Sequence, residues 1–166
     1  MHVNSRSTLL TAALVLMLCT VCDRGAKHAA VSLRGRPPVE IAGGVMTLSY
    51  AENRGAMLSL GAGLPEKMRF LLFTAGVGVI LSVIACVILF SGALSRRLVI
   101  ALSLILAGGG NNLFDRLSND GRVVDFVTLG AGGLRTGIFN VADVAIMVGA
   151  SLFLVTMIRQ RRGRTA

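Results

Sequence analysis

Four long apolar runs constrain this chain more than any other feature of its sequence. They cover about residues 7–22, 70–93, 98–114 and 138–158, and charged residues lie at their ends. A helix that crosses a bilayer needs about 20 mainly apolar residues. Only 15% of the 166 residues are charged, against about 25% in a typical soluble domain. We therefore predict an all-α membrane protein with four transmembrane helices in one membrane-embedded domain, residues 1–166.

The first apolar run also fits a cleaved signal peptide, because a basic start precedes a short apolar stretch. A large residue, Leu18, precedes Cys19 where a lipobox needs a small one, and no Ala-x-Ala site follows. Three further runs already require a membrane-embedded chain, so the sequence favours a retained first helix.

The loop over residues 23–69 is the one long segment outside the predicted spans. Residues 39–52 contain β-prone and apolar residues around a Gly43-Gly44 turn, which predicts short strands. Small and apolar residues over 54–60 predict a short interfacial helix. We expect a small outer sheet that rests on the membrane.

The net charge of +9 indicates topology rather than nucleic-acid binding, because the arginines flank apolar runs. Arg96-Arg97 and the basic tail from Arg159 fall on the same side as both termini. The positive-inside rule assigns that side to the cytoplasm. A count of all Lys and Arg residues follows this rule less clearly, because the opposite side carries all eight acidic residues and more than half of the basic ones.

Polar residues cluster at the outer ends of the third and fourth predicted helices. Asn112, Asp115 and Arg116 share one helical face through their i, i+3 and i+4 spacing. Asn140 and Asp143 share a face in the same way. An ionisable residue inside an apolar span, such as Asp143, is costly and faces the bundle interior or a water-filled cavity.

The acids on these two helices lie at matching depth. Asp115 is 18 residues from Arg97, and Asp143 is 16 residues from Arg159. At about 1.5 Å per residue, each acid lies about 24–27 Å from its basic end. Asp125 lies in the short connection between the helices and can reach the same place. Two carboxylates there suggest an aspartyl dyad that activates water, since one pKa of such a pair rises. The alternative is helix capping and an Asp115–Arg116 ion pair.

The remaining motif-like features carry no separate chemistry. The only histidines, His2 and His28, have no partner at metal-ligand spacing, so we expect no metal site, no Ser/His triad and no cofactor. The glycines at 108–110 are expected to allow close helix packing. The Cys19-x-x-Cys22 pair has no second pair and is expected to pack within a helix.

Five short motifs occur in order along the chain. They are Asp23-Arg24-Gly25-Ala26-Lys27, Asn53-Arg54-Gly55-Ala56-Met57-Leu58-Ser59, the segment from Gly108 to Arg116, Val124-Asp125-Phe126, and Phe139-Asn140-Val141-Ala142-Asp143. They resemble D-x-x-x-K, N-x-G-A-x-x-S, G-G-x-x-N-x-x-D-R, V-D-F and F-N-x-A-D of the lipoprotein signal peptidases (signal peptidase II). This family consists of bacterial inner-membrane aspartyl proteases, and the resemblance covers nearly the whole chain.

The resemblance implies a role for each matching residue. Asp125 and Asp143 would form the catalytic dyad, and Asp115 would support it beside Arg116. Substrate-binding and supporting positions would be Asn53, Gly55, Asn112, Arg116 and Asn140, with Asp23 and Lys27 of the first motif as further candidates. The outer sheet would be the family's periplasmic cradle.

The resemblance also implies what the chain acts on and where. It would cut lipid-modified prolipoproteins on the N-terminal side of the diacylglyceryl cysteine. It would work as a monomer among membrane lipids, without a cofactor, near the outer surface of the inner membrane and with both termini in the cytoplasm. Which aspartate is the first base, and which lipoproteins are cut, stay open.

Five positions depart from the family pattern. Arg24 and Ala26 stand where glutamine and threonine or serine are usual, Asn111 replaces a usual glycine, and Met57-Leu58 replaces a common small-aromatic pair. These departures concern substrate preference and local packing more than the reaction, because both aspartates of the dyad are present.

Two rival functions from other classes need consideration. A small transport or proton-relay protein could use Asp143, but residues 70–92 and 144–158 offer few polar side chains beyond Ser82, Ser151 and Thr156 to continue a path. A non-catalytic assembly protein would tolerate Asp→Asn changes at both acids, whereas a protease would not.

Overall fold

Apolar helices and a small antiparallel sheet make up the described parts of the chain, which in this computed structural model are residues 5–56, 60–91, 94–131 and 133–162. The helices are α1 (Ser5–Val31), α2 (Glu66–Phe90), α3 (Arg96–Ser118) and α4 (Val141–Arg162). The strands are β1 (Val39–Ile41), β2 (Met46–Asn53), β3 (Val123–Ala131) and β4 (Leu134–Arg135). A π-helical stretch, Phe70–Gly76, lies within α2. Each of the four helices is long and apolar enough to cross a membrane, which confirms the predicted fold class.

Glycines bring α3 and α4 into close antiparallel contact. A Cβ atom on Gly108 would collide with the backbone oxygen of Ala142, and one on Gly149 would lie 2.7 Å from the backbone oxygen of Ala101. Gly109 packs in the same way against the Leu81 side chain of α2. The predicted packing role is therefore confirmed for Gly108 and Gly109, while Gly110 has no neighbour within 4 Å of its Cβ position.

All four helices continue beyond the apolar runs that predicted them: α2 begins at Glu66 instead of near residue 70, and α4 spans Val141–Arg162 instead of residues 138–158. Two further extensions, those of α1 and α3, contribute to the site. α1 extends to Val31 instead of ending near Cys22, and α3 extends to Ser118 instead of ending near residue 114. The extensions carry charged residues that find partners on the neighbouring helix, described below, so the helices do not need to stop where hydropathy falls. The second run forms helix up to Phe90, and residues 92–93 at its predicted end lie outside the described residues.

The sheet has the strand order β1-β2-β3-β4, with every neighbouring pair antiparallel. The predicted strands of residues 39–52 correspond to β1 and β2. β3 was not predicted, because this segment was expected to be a short connection between two helices. Its register places Asp125 opposite Ala51 and Val123 opposite Asn53, with an irregularity between Leu48 and Ala51. Pairing with β3 therefore brings the end of β2 to Asp125.

The predicted interfacial helix over residues 54–60 is not seen in its described part. Residues 54–56 form a bend, Leu60 begins a turn, and Gly61 adopts a positive φ of 74°. Met57, Leu58 and Ser59 lie outside the described residues, so the structure does not describe the departures at Met57 and Leu58.

Buried apolar and buried polar residues separate along the helix bundle. Ala12, Ile88, Leu94, Val99 and Leu102 form an apolar cluster between α1, α2 and the start of α3. The outward faces expose large apolar side chains, such as Leu10 at 72% and Phe90 at 82%, as expected of lipid-facing helices.

The two ends of the bundle differ in charge. Arginines start α3 and end α4, and because these helices are antiparallel both sets lie at one end, here called the arginine end. The sheet and most buried charged side chains lie at the opposite end, here called the sheet end.

Candidate active site

A group of buried polar side chains lies at the sheet end, where α1, α3, α4, β2 and β3 meet. Its most buried members are Asp23, Lys27, Asn53, Asn112, Asp115, Asp125, Asn140 and Asp143, each 6% exposed or less. Buried polar groups are costly unless they are hydrogen-bonded, and buried charges need partners. Each of these side chains has a hydrogen-bond or ion-pair partner.

Asp125 is held by two amide groups. It lies in β3 and is 1% exposed. Its Oδ2 accepts a 2.8 Å hydrogen bond from Asn53 Nδ2, and its Oδ1 accepts a 2.6 Å bond from Asn140 Nδ2. Burial raises the pKa of Asp125 to about 6, the bond from Asn53 lowers it, and the charge of Asp143 raises it. Asp125 is therefore a carboxyl group that can exchange a proton near neutral pH.

The amide of Asn53 has a fixed orientation at the end of β2. Its Oδ1 accepts a 2.8 Å bond from the Gly55 backbone N–H, and its Nδ2 also donates to the Ala56 carbonyl oxygen at 2.9 Å. This Asx-type turn uses the oxygen locally, so the NH₂ group is directed to Asp125. The bend after β2 thus positions the donor for the carboxylate.

Asp143 belongs to the first turn of α4. Its Oδ2 accepts a 3.2 Å bond from the Asn140 backbone N–H, and Asn140 Oδ1 accepts a 3.0 Å bond from the Asp143 backbone N–H. This reciprocal pair is a capping box with an aspartate in the third helical position. The other oxygen, Oδ1, accepts a 2.9 Å bond from Asn112 Nδ2. The hydrogen bonds between Asn140 and Asp143 that cap the helix therefore also fix the position of the Asp143 carboxylate.

Asn140 connects the two carboxylates directly. Its side-chain NH₂ group bonds Asp125, while its backbone N–H bonds Asp143. The structure therefore brings together the two aspartates that sequence reasoning assigned to a dyad. The same NH₂ group contacts the Val124 carbonyl at 3.3 Å and Asn112 Oδ1 at 3.2 Å.

Asn112 is oriented by a buried lysine. Lys27 Nζ, on α1, donates to Asn112 Oδ1 at 3.1 Å. The oxygen of this amide therefore faces Lys27 and Asn140, and its NH₂ group faces Asp143. The position of Lys27 thus ensures that the NH₂ group of Asn112, and not its oxygen, faces Asp143.

Asp115 pairs with α1 and not with its sequence neighbour Arg116. Its Oδ2 lies 2.7 Å from Lys27 Nζ, and its Oδ1 lies 2.6 Å from Arg24 Nη2. Arg116 instead donates to the Gly55 carbonyl at 2.7 Å and to the Asn112 carbonyl at 3.4 Å. The alternative of an Asp115–Arg116 ion pair is therefore wrong, because cations on the neighbouring helix reach Asp115.

Asp23 links α1 to both the ion pairs and α4. Its Oδ2 contacts Lys27 at 2.9 Å, and its Oδ1 accepts a 3.0 Å hydrogen bond from the Ala142 backbone N–H. Ala142 is the residue before Asp143, so α1 satisfies one of the free N–H groups at the start of α4. Asp23 and Lys27 therefore lie within the buried group, and Asp23 contacts the start of α4.

Sequence reasoning treated Arg24 only as a departure from the family pattern, and the structure places it in the site. Besides Asp115, it donates to the Asn111 carbonyl at 3.0 Å, and its guanidinium lies 5.0 Å from the centre of the Phe114 ring. Asn111, another departure, is buried and supplies that carbonyl. The one available signal was the place of Arg24 inside the motif from Asp23 to Lys27.

A cavity of about 140 Å³ leads to Asp143 between α2, α3 and α4. Its lining residues are Ala56, Phe73, Val77, Gly109, Asn112, Arg116, Asp143 and Ile146. A second cavity of about 250 Å³ shares Phe73 and Arg116 with the first. A mainly apolar wall with a few convergent polar groups is typical of a substrate site.

The described ranges hold neither a cluster of metal ligands nor a disulfide. Within them, no group of three or more His, Cys, Asp or Glu side chains is arranged to hold a metal ion. The three cysteines are free thiols. Cys19 is half-buried while Cys22 is exposed, so the expected packing role fits Cys19 only.

Comparison with known proteins identifies relatives over nearly the full chain. The family model described as signal peptidase (SPase) II matches residues 15–159. The lipoprotein signal peptidase of Syntrophus aciditrophicus (strain SB) is 31% identical over 158 residues, which cover 95% of each chain. The lipoprotein signal peptidase of Escherichia coli (strain K12 / DH10B) is 39% identical over 111 residues, about two thirds of each chain. None of these matches favours the transport or assembly alternatives.

Two solved structures share the fold. Both are described as a bacterial membrane enzyme, determined by the in meso method at 2.3 Å and 1.9 Å resolution. They superpose with TM-scores of 0.75 and 0.68, at 23% and 24% identity, and cover 97% and 90% of this chain and 94% and 91% of their own. At this identity they establish the arrangement of helices and sheet alone.

Proposed function

The chain belongs to the signal peptidase II family, and on this premise we propose that Asp125 and Asp143 cut the signal peptide from lipid-modified prolipoproteins. The family makes the chain a protease of bacterial membranes, and its four apolar helices fit a multi-pass protein. The aspartic type of the reaction rests on one observation: a single residue, Asn140, bonds both carboxylates in a buried position.

The reaction needs one ionised and one protonated carboxyl group. The ionised aspartate takes a proton from water while the water oxygen attacks the scissile carbonyl carbon, and the protonated aspartate donates its proton to the carbonyl oxygen. When the tetrahedral intermediate collapses, the C–N bond breaks and the dyad returns a proton to the leaving amine. Either aspartate fits the role of first base, because a coupled pair titrates as a unit.

The hydrogen bonds around the dyad suit this exchange. Each of the four carboxylate oxygens accepts one bond from an N–H group, supplied by Asn53, Asn112 or Asn140. A carboxylate oxygen has two lone-pair directions. The second direction on each oxygen can therefore bind water, substrate or the shared proton. The N–H donors are already in place, so they do not have to reorganise during the reaction.

The charges at the ends of the bundle support a site at the outer membrane surface. Arg96, Arg97 and Arg159 lie at the arginine end, which the positive-inside rule assigns to the cytoplasm. The dyad and the sheet lie at the opposite end, so they would face the periplasm in an inner membrane. Both chain termini would then be cytoplasmic.

This placement suits a substrate whose lipid stays in the bilayer. The cavity at Asp143 is lined by Phe73, Val77 and Ile146 on its apolar wall, and by Asn112 and Arg116 on its polar side. The apolar wall would contact the lipid-modified peptide, and the polar side would bind its backbone. As the family resemblance implies, we propose that the enzyme acts as a monomer and without a cofactor.

Cleavage of a purified diacylglyceryl-modified precursor tests the proposal. We expect Asp125→Asn and Asp143→Asn each to abolish the gel shift to the mature product, because an amide cannot accept and return the proton that the carboxyl group exchanges. Asp120→Asn is a matched control: Asp120 is exposed and has a φ of 48°, which asparagine tolerates. Normal processing by either dyad variant, with the control active, would show that the dyad is not the catalytic pair.

A further inference from the structure

Arg54 lies within one of the five motifs, and the proposed reaction does not use it. We propose that Arg54 determines substrate specificity by binding acidic side chains in the mature part of the precursor, within the few residues that follow the lipidated cysteine. This inference rests on the proposed function, since it names the precursors that the proposed dyad cuts best. It concerns the choice of substrate and not the chemical step.

Arg54 lies at the rim of the candidate active site. It stands between Asn53, which donates to Asp125, and Gly55, whose carbonyl oxygen accepts a hydrogen bond from Arg116. Asn53 and Gly55 are buried, whereas Arg54 is exposed. The two buried neighbours hold the backbone in place, so the Arg54 side chain extends outward from a fixed point beside the site.

The Arg54 side chain lines the cavity of about 250 Å³ that shares Phe73 and Arg116 with the cavity at Asp143. We call this larger space the outer cavity. The start of α2 and the end of α3 form its walls, and both of these helix ends lie at the sheet end. The cavity at Asp143 extends further along α2, to Val77. The outer cavity therefore lies nearer the water in the proposed orientation.

The two cavities suit different parts of the precursor. A signal peptide has an apolar central segment, which stays in the bilayer. The mature part must leave the dyad toward the water, because charged side chains are costly in hydrocarbon. The residues that follow the lipidated cysteine therefore pass through or beside the outer cavity.

The outer cavity has an excess of positive charge. Arg54, Arg69 and Arg116 line it, against two acidic residues, Glu66 and Asp120. Two of the arginines, at positions 69 and 116, donate to backbone carbonyl oxygens, which carry no net charge and leave their positive charge in the cavity. Among the described residues, Arg54 has neither a hydrogen bond nor an ion pair, so its guanidinium is available to a substrate.

A carboxylate is the group that this guanidinium recognises best. An arginine can bind both oxygens of a carboxylate through two parallel N–H···O bonds, and a basic side chain in the same place is repelled. The phosphate of an anionic lipid offers similar oxygens, but a lipid would affect all precursors alike. Arg54 therefore favours precursors with acidic residues after the lipidated cysteine over precursors with basic ones.

The test measures kcat/KM of purified full-length wild type, Arg54→Gln and Arg54→Glu in nonionic detergent micelles. Three diacylglyceryl-modified precursors differ only in the two residues after the lipidated cysteine, which are Asp-Asp, Asn-Asn or Lys-Lys. We expect wild type to prefer the Asp-Asp precursor over the Lys-Lys precursor about tenfold, and Arg54→Gln to reduce this ratio to about twofold. Arg54→Glu should reverse the preference. All three proteins should have similar kcat on the Asn-Asn precursor.

Salt dependence gives a second readout of the same contact. Raising the ionic strength from about 0.1 M to about 1 M shortens the Debye length from about 10 Å to about 3 Å. The preference of wild type should therefore shrink at high salt, whereas the small preference of Arg54→Gln should hardly change. A wild-type preference that is insensitive to salt would argue against recognition by charge.

Arg135→Gln is the matched control, because it also removes a positive charge at the sheet end. Arg135 is half exposed, pairs with Glu40 at 3.6 Å and does not line the outer cavity, so the tenfold preference should remain.

A wild-type protein without a preference, or Arg54→Gln with the full preference, would overturn the proposal. An equal loss of kcat/KM on all three precursors would also overturn it, since a lipid-binding or folding role predicts that result. If one Arg54 variant fails to fold, the other decides by the same ratio. Absence of cleavage of all three precursors by wild type would instead contradict the proposed function.

Discussion

The Asn140 side chain has a structural role and a proposed catalytic role, and these two roles can be tested separately. Its Oδ1 caps α4 by accepting from the Asp143 backbone N–H, while its Nδ2 donates to Asp125 Oδ1. Loss of an Asn cap costs about 0.5–2 kcal/mol. A buried polar group left without its partner costs about 1–3 kcal/mol. Asn140→Ala removes both interactions, together with the longer contacts to Asn112 and Val124, so we expect it to lower the free energy of unfolding by about 2–4 kcal/mol.

Asn140→Ser restores only one of the two interactions. A serine oxygen can accept from the Asp143 N–H and cap the helix, but a serine is too short to reach Asp125. We expect Asn140→Ser to recover about half or more of the stability that Asn140→Ala loses. Its kcat should remain about ten- to a hundredfold below wild type, because Asp125 lacks one of its two positioning donors.

The assays are denaturant unfolding in detergent and cleavage of the lipid-modified precursor, with the same protein samples in both. Asn140→Asp gives a further comparison, because it keeps the cap but places a third carboxylate beside Asp125. Wild-type kcat in Asn140→Ser would refute the reasoning, since the bridge to Asp125 would then have no catalytic effect. Equal stability of Asn140→Ala and Asn140→Ser would refute the claim that the side chain at position 140 stabilises α4 by capping it.

Two further predictions concern stability. Burial raises the pKa of Asp125 from its ordinary value of 3.8 to about 6, so the folded state holds this proton more tightly and its stability falls as pH rises from about 4 to about 6. The measurement is the free energy of unfolding at pH 4 and pH 7. Between these pH values, Asp125→Asn should become more stable relative to wild type by up to about 3 kcal/mol. A stability difference that shrinks with rising pH would contradict this. Gly108→Ala should destabilise the bundle and reduce cleavage, because the new methyl group meets the Ala142 backbone beside Asp143. Gly110→Ala, which has open space, should raise thermal stability slightly through helix propensity, and equal effects of the two changes would argue against close α3–α4 packing.

Hydropathy and local spacing were sufficient to predict the helical part of the fold. The four apolar runs each became a membrane-length helix, and Asn112 with Asp143 met because their helices pack antiparallel through glycine. The capping box of Asn140 and Asp143 follows from residues only three positions apart. These features depend on short-range geometry, which a sequence pattern carries.

Contacts between distant segments could not be predicted in this way. Val123–Ala131 is apolar enough for a membrane surface, and only its pairing with β2 shows that it is a strand. Asp115 looked like a partner for the adjacent Arg116, yet its cations come from α1, about 90 residues earlier. Charge complementarity defines which groups can pair, but the arrangement of the helices decides which of them meet.

The hydrogen bond from Ala142 to Asp23 spans 119 residues and joins the first membrane helix to the last. A chain that inserts its helices in order during synthesis gains Asp23 first and Asp143 last. If Asp125 and Asp143 are the catalytic pair as proposed, the proteolytic centre is incomplete for as long as the fourth helix has not been inserted. A growing chain would lack activity toward lipoprotein precursors until its biogenesis is finished.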